Sequence, residues 1–208
     1  MENNKRSSDQ EIEVKFYLSN REKTEKKLSS LGEIIAPRVH EVNLRLDTPR
    51  KDLAGRGSIL RLRQDSRARV TYKGGGRLEG GAILRQELEV TVSDFDTTLH
   101  LLEALGYQVV LMYEKYRTTY QVGKVEVAVD EMPTGDFLEI EGPDGENIRQ
   151  VSDGLGLDWD QRILVSYTVL FERTRQSLGV DFRDLSFENF KGIKVTPGVM
   201  GVRAGDEE

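Results

Sequence analysis

Glu11-Ile-Glu-Val-Lys-Phe16 decides the reading of this chain. It alternates strictly between charged and apolar side chains. A strand sends successive side chains to opposite faces, so Glu11, Glu13 and Lys15 share one face and Ile12, Val14 and Phe16 the other. A charged face of this kind is either a solvated surface or a site for ions and charged ligands.

The pattern repeats along the chain. Between Glu33 and Leu46, Val42, Leu44 and Leu46 oppose Asn43, Arg45 and Asp47, and Thr48-Pro49 closes the strand. Ser58–Arg63 sets Arg61 and Arg63 against Leu60 and Leu62, and Arg69–Lys73 sets Arg69, Thr71 and Lys73 against Val70 and Tyr72. Leu84–Val92 carries Arg85, Glu87 and Glu89 on one face. Tyr107–Val122 carries Lys115, Arg117 and Thr119, Lys124–Asp130 ends on Asp130, and Phe137–Glu141 carries Glu139 and Glu141. That makes eight strands linked largely as hairpins. The glycine-rich stretch from Gly74 to Gly81 precedes no helix and no Gly-Lys-Ser/Thr, so it reads as a flexible turn and not as a phosphate loop.

Helices are expected in the longer connections. Ser19-Asn-Arg-Glu22 has capping-box spacing, with Gly32 at the far end of that helix. A second runs from Ser93-Asp-Phe-Asp96 to Gly106 with Phe95, Leu99, Leu102 and Leu105 as its apolar stripe. Two more are expected near Glu146–Leu155 and near Asp160–Gln176, the last with Ile163, Tyr167, Leu170 and Phe171 inward. The chain divides into a disordered arm over residues 1–10, one domain over 11–173, and a partly disordered extension over 174–208 in which Phe182, Leu185, Phe187 and Phe190 could dock while residues 192–208 form a loose tail.

Composition excludes several function classes. The 208 residues carry 30 basic and 36 acidic side chains, a net charge of -6, so bulk attraction to nucleic acid or an anionic membrane is not expected. The absence of cysteine excludes disulfides, thiolate metal sites and a cysteine nucleophile. No apolar run has the length of a membrane span, and residues 1–10 lack the apolar core of a secretory signal, so a cytoplasmic setting is the default expectation. The only histidines are His40 and His100, and no serine has a nucleophile context, which leaves no serine-histidine site.

A solvated face is the ordinary explanation for any one of these strands. Two features oppose it for the set. The faces are dense in Arg and Glu, and the signs separate by strand. Arg61, Arg63, Lys73, Lys115 and Arg117 form a basic set, and Glu11, Glu13, Asp130, Glu139 and Glu141 an acidic one. Closing eight strands into a barrel removes the edges and turns one face inward. An inward face so charged cannot be a dry core; it would have to hold ions or a highly charged ligand.

The motif order resembles that of the CYTH proteins, the triphosphate tunnel metalloenzymes. Glu11-x-Glu13-x-Lys15 resembles their ExExK signature. Asp47-Thr-Pro49, Arg61-x-Arg63, Thr71-x-Lys73, Arg85-x-Glu87-x-Glu89, Lys115-x-Arg117, Asp130, Glu139-x-Glu141 and Ser166-Tyr167 follow in the family's order. The resemblance implies an α+β fold: an eight-stranded antiparallel closed β-barrel, a tunnel, with flanking helices. It implies an enzyme that cleaves a triphosphate such as ATP, inorganic triphosphate or thiamine triphosphate with Mg²⁺ or Mn²⁺. Glu11, Glu13, Asp130, Glu139 and Glu141 would be the metal ligands. Lys15, Arg61, Arg63, Lys73, Arg85, Lys115 and Arg117 would bind the substrate, with Lys15, Arg61, Lys73 and Lys115 as the catalytic contacts. Glu87 would complete the wall. Hydrolysis is the expected reaction, cyclisation of ATP by a class IV adenylyl cyclase the alternative, and non-catalytic polyphosphate binding the third reading. Arg45 stands where the family usually has an aromatic; it would either add a basic contact at the tunnel mouth or be solvated, and solvation is the expectation.

Overall fold

The structure is a computed structural model that describes residues 10–207. The expected N-terminal arm lies outside the described residues except for Gln10, which already belongs to the first strand.

The charged and apolar alternation becomes nine strands. They are β1 (Gln10–Leu18), β2 (Glu33–Asp47), β3 (Ile59–Gln64), β4 (Ala68–Lys73), β5 (Arg77–Glu79), β6 (Ala82–Val92), β7 (Gln108–Val122), β8 (Val125–Met132) and β9 (Gly135–Glu141). All pairings between them are antiparallel. The order is β1-β9-β8-β7-β2-β3-β4-β6, and β6 pairs back onto β1 through Glu11↔Arg85 and Glu13↔Ile83, closing a ring of eight. The ninth strand, β5, comes from the glycine-rich stretch read as a turn and forms a hairpin on β6. Pro37 lies in β2 between Ala36 and Val39, where the register with β7 shifts, a position that tolerates its missing N–H.

Four helices cover the outside: α1 (Arg21–Leu31), α2 (Phe95–Ala104), α3 (Gly145–Leu155) and α4 (Tyr167–Leu178). The α1 cap is Asn20 and not Ser19. Its side chain accepts from the Lys23 N–H, while the N–H groups of Ser19 and Asn20 both donate to the Asp206 carboxylate. In α2, Phe95, Leu99 and Leu102 pack against Leu46, Leu60 and Leu62, but Leu105 is exposed just past the helix end. The last helix begins at Tyr167 and not near Asp160. Residues 162–166 are not helical, and the Ile163 N–H donates to the Lys15 carbonyl at 2.6 Å, so that stretch extends the edge of β1.

The apolar core therefore lies outside the ring. Val14, Phe16 and Leu18 of β1 join Val125, Val127, Leu138 and Ile140 beneath α1 and α3. A second cluster packs α4 on Phe137 and Met132.

Residues 180–207 contribute to that second cluster, both the stretch of 182–190 expected to dock and part of the stretch of 192–208 expected as a tail. Leu185, Phe190, Met200 and Ala204 are buried, and Phe182 and Phe190 pack around Phe171. The segment covers two exposed strand edges. Leu185 exchanges backbone bonds with Met112 and Glu114 of β7, and the Gly205 N–H donates to the Tyr17 carbonyl of β1. Gly205 lies so close to the Phe16 ring that an added Cβ would stand 2.7 Å from it, which is why only glycine fits. Among the described residues no helix is long and apolar enough to cross a membrane.

Candidate functional site

The period-2 pattern turns the charged faces inward around one cavity of about 800 Å³. Ten basic and nine acidic side chains line it, so the walls nearly balance and any selectivity must come from placement. The ring order supplies that placement. The contiguous strands β7-β2-β3-β4 carry Lys115, Arg117, Arg45, Arg61, Arg63, Arg69 and Lys73, and the contiguous strands β9-β1-β6 carry Glu139, Glu141, Glu11, Glu13, Glu87 and Glu89. Two facing arcs of opposite sign result. Lys15 and Arg85 sit within the acidic arc and Glu41 within the basic one.

On the acidic arc most carboxylates already hold a cation. Lys73 donates to both Glu11 oxygens, at 2.7 Å to Oε1, and Glu87 stands 3.0 Å from the same Nζ. Lys15 lies 2.9 Å from Glu139 and 3.5 Å from Glu13. Burial works against its charge, but Glu13 and Glu139 hold the Lys15 ammonium above the ordinary lysine range. Burial likewise works against Glu139, yet Lys15, Arg117 and Lys115 hold its carboxyl well below the usual range. Glu141 is different. Burial, together with Glu11, Glu13 and Glu87, pushes its carboxyl up to about 8. Cross-strand register puts Glu141 directly opposite Glu13 on one side and Glu126 on the other, an arrangement of like charges that costs stability unless a cation joins it.

On the basic arc Arg45 and Arg61 rest on neutral groups, whereas Arg63, Arg69, Lys73, Lys115 and Arg117 each reach a carboxylate. Arg63 donates from Nε to Asn43 Oδ1 at 2.8 Å and approaches Glu41 at 3.3 Å. Arg61 donates to Thr71 Oγ1 at 3.2 Å, and its nearest carboxylates, Glu87 and Glu89, stand at 3.9 and 3.8 Å. Arg45 donates to Thr168 Oγ1 at 2.6 Å. The buried Nε atoms of Arg61, Arg69 and Arg85 have no hydrogen-bond partner among the described residues. Cation crowding is visible in Tyr113: burial would raise its phenol, but Arg61, Arg63 and Lys115 hold it below the ordinary value.

Asp130 stands apart from the other acidic candidates. It is 0 % exposed and does not line the cavity. Its carboxylate accepts from Lys115 at 2.8 Å, from Arg117 through both oxygens at 2.6 Å, and from the Tyr167 hydroxyl at 2.8 Å. Asp130, expected among the metal ligands, here braces Lys115 and Arg117 and aims them. Arg117 reaches on to Glu139. Arg45 is corrected: it faces the cavity beside Arg61 and Thr168 and is not solvated.

All the other expected site residues line this one cavity: Glu11, Glu13, Lys15, Arg61, Arg63, Lys73, Arg85, Lys115, Arg117, Glu139 and Glu141. The sequence reading missed Glu41, Asn43, Tyr113 and the brace formed by Tyr167. Glu41 and Asn43 continue the inward face of Arg45 two residues at a time, so period 2 alone could have found them. Tyr167 belongs both to the helix stripe and to the Ser166-Tyr167 motif, but its hydroxyl role has no periodic signal.

Among the described residues no three acidic or histidine side chains are drawn together as a ready-made metal cluster. The donor chemistry nonetheless fits a hard divalent cation: Glu11, Glu13, Glu139 and Glu141 all present carboxylate oxygens to the cavity, and the raised Glu141 carboxyl marks negative charge that a cation would relieve.

Residues 9–157 match the family described as CYTH domain. A Methanocaldococcus jannaschii protein named "Putative adenylate cyclase MJ0240" is 26% identical over 133 residues, which is 63% of this chain and 75% of that one. A structure described as a "putative adenylate cyclase" from Vibrio parahaemolyticus has a TM-score of 0.72 at 20% identity, over 79% of this chain and 98% of that one. The Hippeastrum protein HpAC1, a "putative adenylyl cyclase" said to reveal a dominant triphosphatase activity, has a TM-score of 0.53 at 17% identity, over 93% of this chain and 100% of that one.

Proposed function

Because the chain belongs to the CYTH domain family, we propose that it is an enzyme that binds a triphosphate in the barrel cavity and hydrolyses it. The observation that carries this reading is the pair of facing arcs, with guanidinium groups on one side that have donors to spare and a surplus of carboxylates on the other.

In this reading Arg61, Arg63, Lys115 and Arg117 bind phosphate oxygens with charge-assisted hydrogen bonds, which are shorter and stronger than neutral ones. Asp130 and Tyr167 keep Lys115 and Arg117 aimed inward, so little reorganisation is needed when charge develops on the phosphates. Lys73 bridges the two arcs and Lys15 stands within the acidic one: each now neutralises a carboxylate and can turn to a phosphate oxygen when a metal takes that carboxylate. Mg²⁺ or Mn²⁺ held by Glu11, Glu13, Glu139 and Glu141 would supply polarisation of a phosphate oxygen and a water of lowered pKa. Arg85 and Glu87 complete the wall on β6.

Hydrolysis asks less of the cavity than cyclisation. The aromatic side chains on its lining are Tyr113 and Tyr167. Tyr113 is engaged by Arg61, and the Tyr167 ring has the Lys15 and Lys115 ammoniums 5.1 and 5.4 Å from its centre. Neither offers an open face on which an adenine could stack. The second reading, a class IV adenylyl cyclase, is favoured by the names of the relatives.

The test is to incubate the purified protein with ATP, inorganic triphosphate and thiamine triphosphate in Mg²⁺ or Mn²⁺. Release of orthophosphate is the expected result. Cyclic AMP with pyrophosphate as the main products would replace hydrolysis by cyclisation, and tight binding without turnover would leave a polyphosphate-binding module.

A further inference from the structure

We propose that Arg45 is a specificity-determining residue that anchors the ionised terminal phosphate of the substrate at the end of the cavity where α4 begins. This deepens the triphosphate reading and rests on it.

Apart from Arg67, which is exposed, Arg45 differs from every other cation on the lining. Lys15, Arg61, Arg63, Arg69, Lys73, Arg85, Lys115 and Arg117 each have a carboxylate within 4 Å, and Arg45 has none among the described residues. The nearest acid in sequence, Asp47, is committed elsewhere: its two oxygens accept from the backbone N–H groups of Thr48, Leu53 and Ala54.

What surrounds Arg45 increases the demand for an anion. It lies directly opposite Arg61 in the β2–β3 register, and like charges so placed repel. Among the described residues its one hydrogen bond to a side chain is to Thr168 Oγ1, which in turn lies 2.7 Å from Ser166 Oγ. A guanidinium has five N–H donors in a planar fork, so most of its capacity is unused. Two hydroxyls and a guanidinium beside a second arginine suit an oxygen-rich dianion.

The same geometry excludes an uncharged group from this end. Burying an apolar or neutral moiety against Arg45 would remove water from a cation and give nothing in return. Any organic part of the substrate is therefore directed to the opposite end of the cavity, beside Ala36, Val39 and Thr119. Arg45 thus sets both the polarity of the bound chain and the requirement for a free phosphate end.

The test is a thermodynamic cycle by calorimetry with metal chelated. Inorganic triphosphate and its diester, methylated once on each terminal phosphate, are titrated into wild type, Arg45→Gln and Arg45→Lys. Methylating both ends prevents the ligand from reversing to hide the ester. Wild type is expected to prefer the free triphosphate, and that preference should shrink about tenfold in Arg45→Gln and recover in large part in Arg45→Lys. An unchanged preference in Arg45→Gln, or an equal loss of affinity for both ligands, would overturn the assignment. Turnover by wild type is measured separately. Binding that follows the cycle without turnover sinks the hydrolytic reading and keeps Arg45 as an anchor, and no triphosphate binding by wild type sinks both.

Discussion

On the arc β9-β1-β6, Glu11 is gripped by Lys73 and Glu139 by Lys15 and Arg117, whereas on the arc β7-β2-β3-β4 the guanidiniums of Arg45, Arg61 and Arg63 rest chiefly on Thr168, Thr71 and Asn43. The acidic wall has its charges matched by ammonium groups that flexible side chains deliver and can withdraw. On the basic wall Asp130 and Glu41 hold Lys115, Arg117 and Arg63, but Arg45 has no carboxylate beside it among the described residues and Arg61 only distant ones, so part of the wall's charge is unmatched. A wall of the first kind exchanges one cation for another; a wall of the second kind takes up an anion with little rearrangement. The difference predicts that anion binding and metal binding are separable.

Chelation with EDTA breaks the comparison most severely. Turnover should fall at least a hundredfold, while triphosphate affinity measured by calorimetry stays within about tenfold, because the basic wall carries the binding. Equal loss of both would mean that the arcs act as one unit. Next comes Arg61→Ala, which removes the centre of the basic wall. Orthophosphate release, as kcat/KM, is expected to drop about a thousandfold with the circular dichroism spectrum intact.

Glu41→Gln sharpens the comparison from the other side. Glu41 is the carboxylate inside the basic wall, 2 % exposed and placed between Arg63 and Lys115. Removing its charge should cost about 3 kcal/mol in denaturant unfolding, since the buried cations lose their partner. Saturating triphosphate should restore more stability to this variant than to wild type, because the ligand then supplies the missing negative charge. The same residue sets an acid dependence. Burial works against its ionisation, yet Lys115, Arg117 and Arg63 hold the Glu41 carboxyl down at about 2. A carboxyl depressed in the folded state stabilises fully above its unfolded value of about 4 and loses that contribution as pH falls toward 2. Unfolding followed between pH 5 and 2 should therefore be less steep in Glu41→Gln than in wild type.

The smallest effect is expected outside both walls. Asp47→Ala removes the acceptor of three backbone N–H groups in the loop after β2. A loss of about 2 kcal/mol is expected with kcat unchanged, measured by thermal melting and phosphate release. A matching loss of activity would mean that this loop, and not the wall alone, positions Arg45.

The inward faces were legible because a strand's period of two leaves little choice once one face is apolar. Glu11, Lys73 and Glu139 fall on the cavity for that reason. Closure through Glu11↔Arg85 joins residues far apart in sequence, and only the motif order pointed to it. What escaped the reading shares a cause. Asp130 lies on the expected face of β8, but its contact with the Tyr167 hydroxyl depends on where α4 docks. Arg45 looked exposed because Thr168, its partner, comes from that same distant helix. Residues 193–204 bury Met200 and Ala204 through scattered contacts of no fixed period, so no window of the sequence distinguishes them from a tail.

The clasp of Asp206 on Ser19 and Asn20 has a consequence for biosynthesis. One edge of β1 is covered by Ile163 and by residues 204–205, which are made long after β1 itself. Until they emerge, β1 carries an uncovered edge and an unburied Phe16, the kind of surface that recruits chaperones or neighbouring chains. The ring itself can close once β9 is made, but β1 keeps one open edge until residues 204–205 emerge, and a nascent chain stalled before residue 204 would hold that edge open.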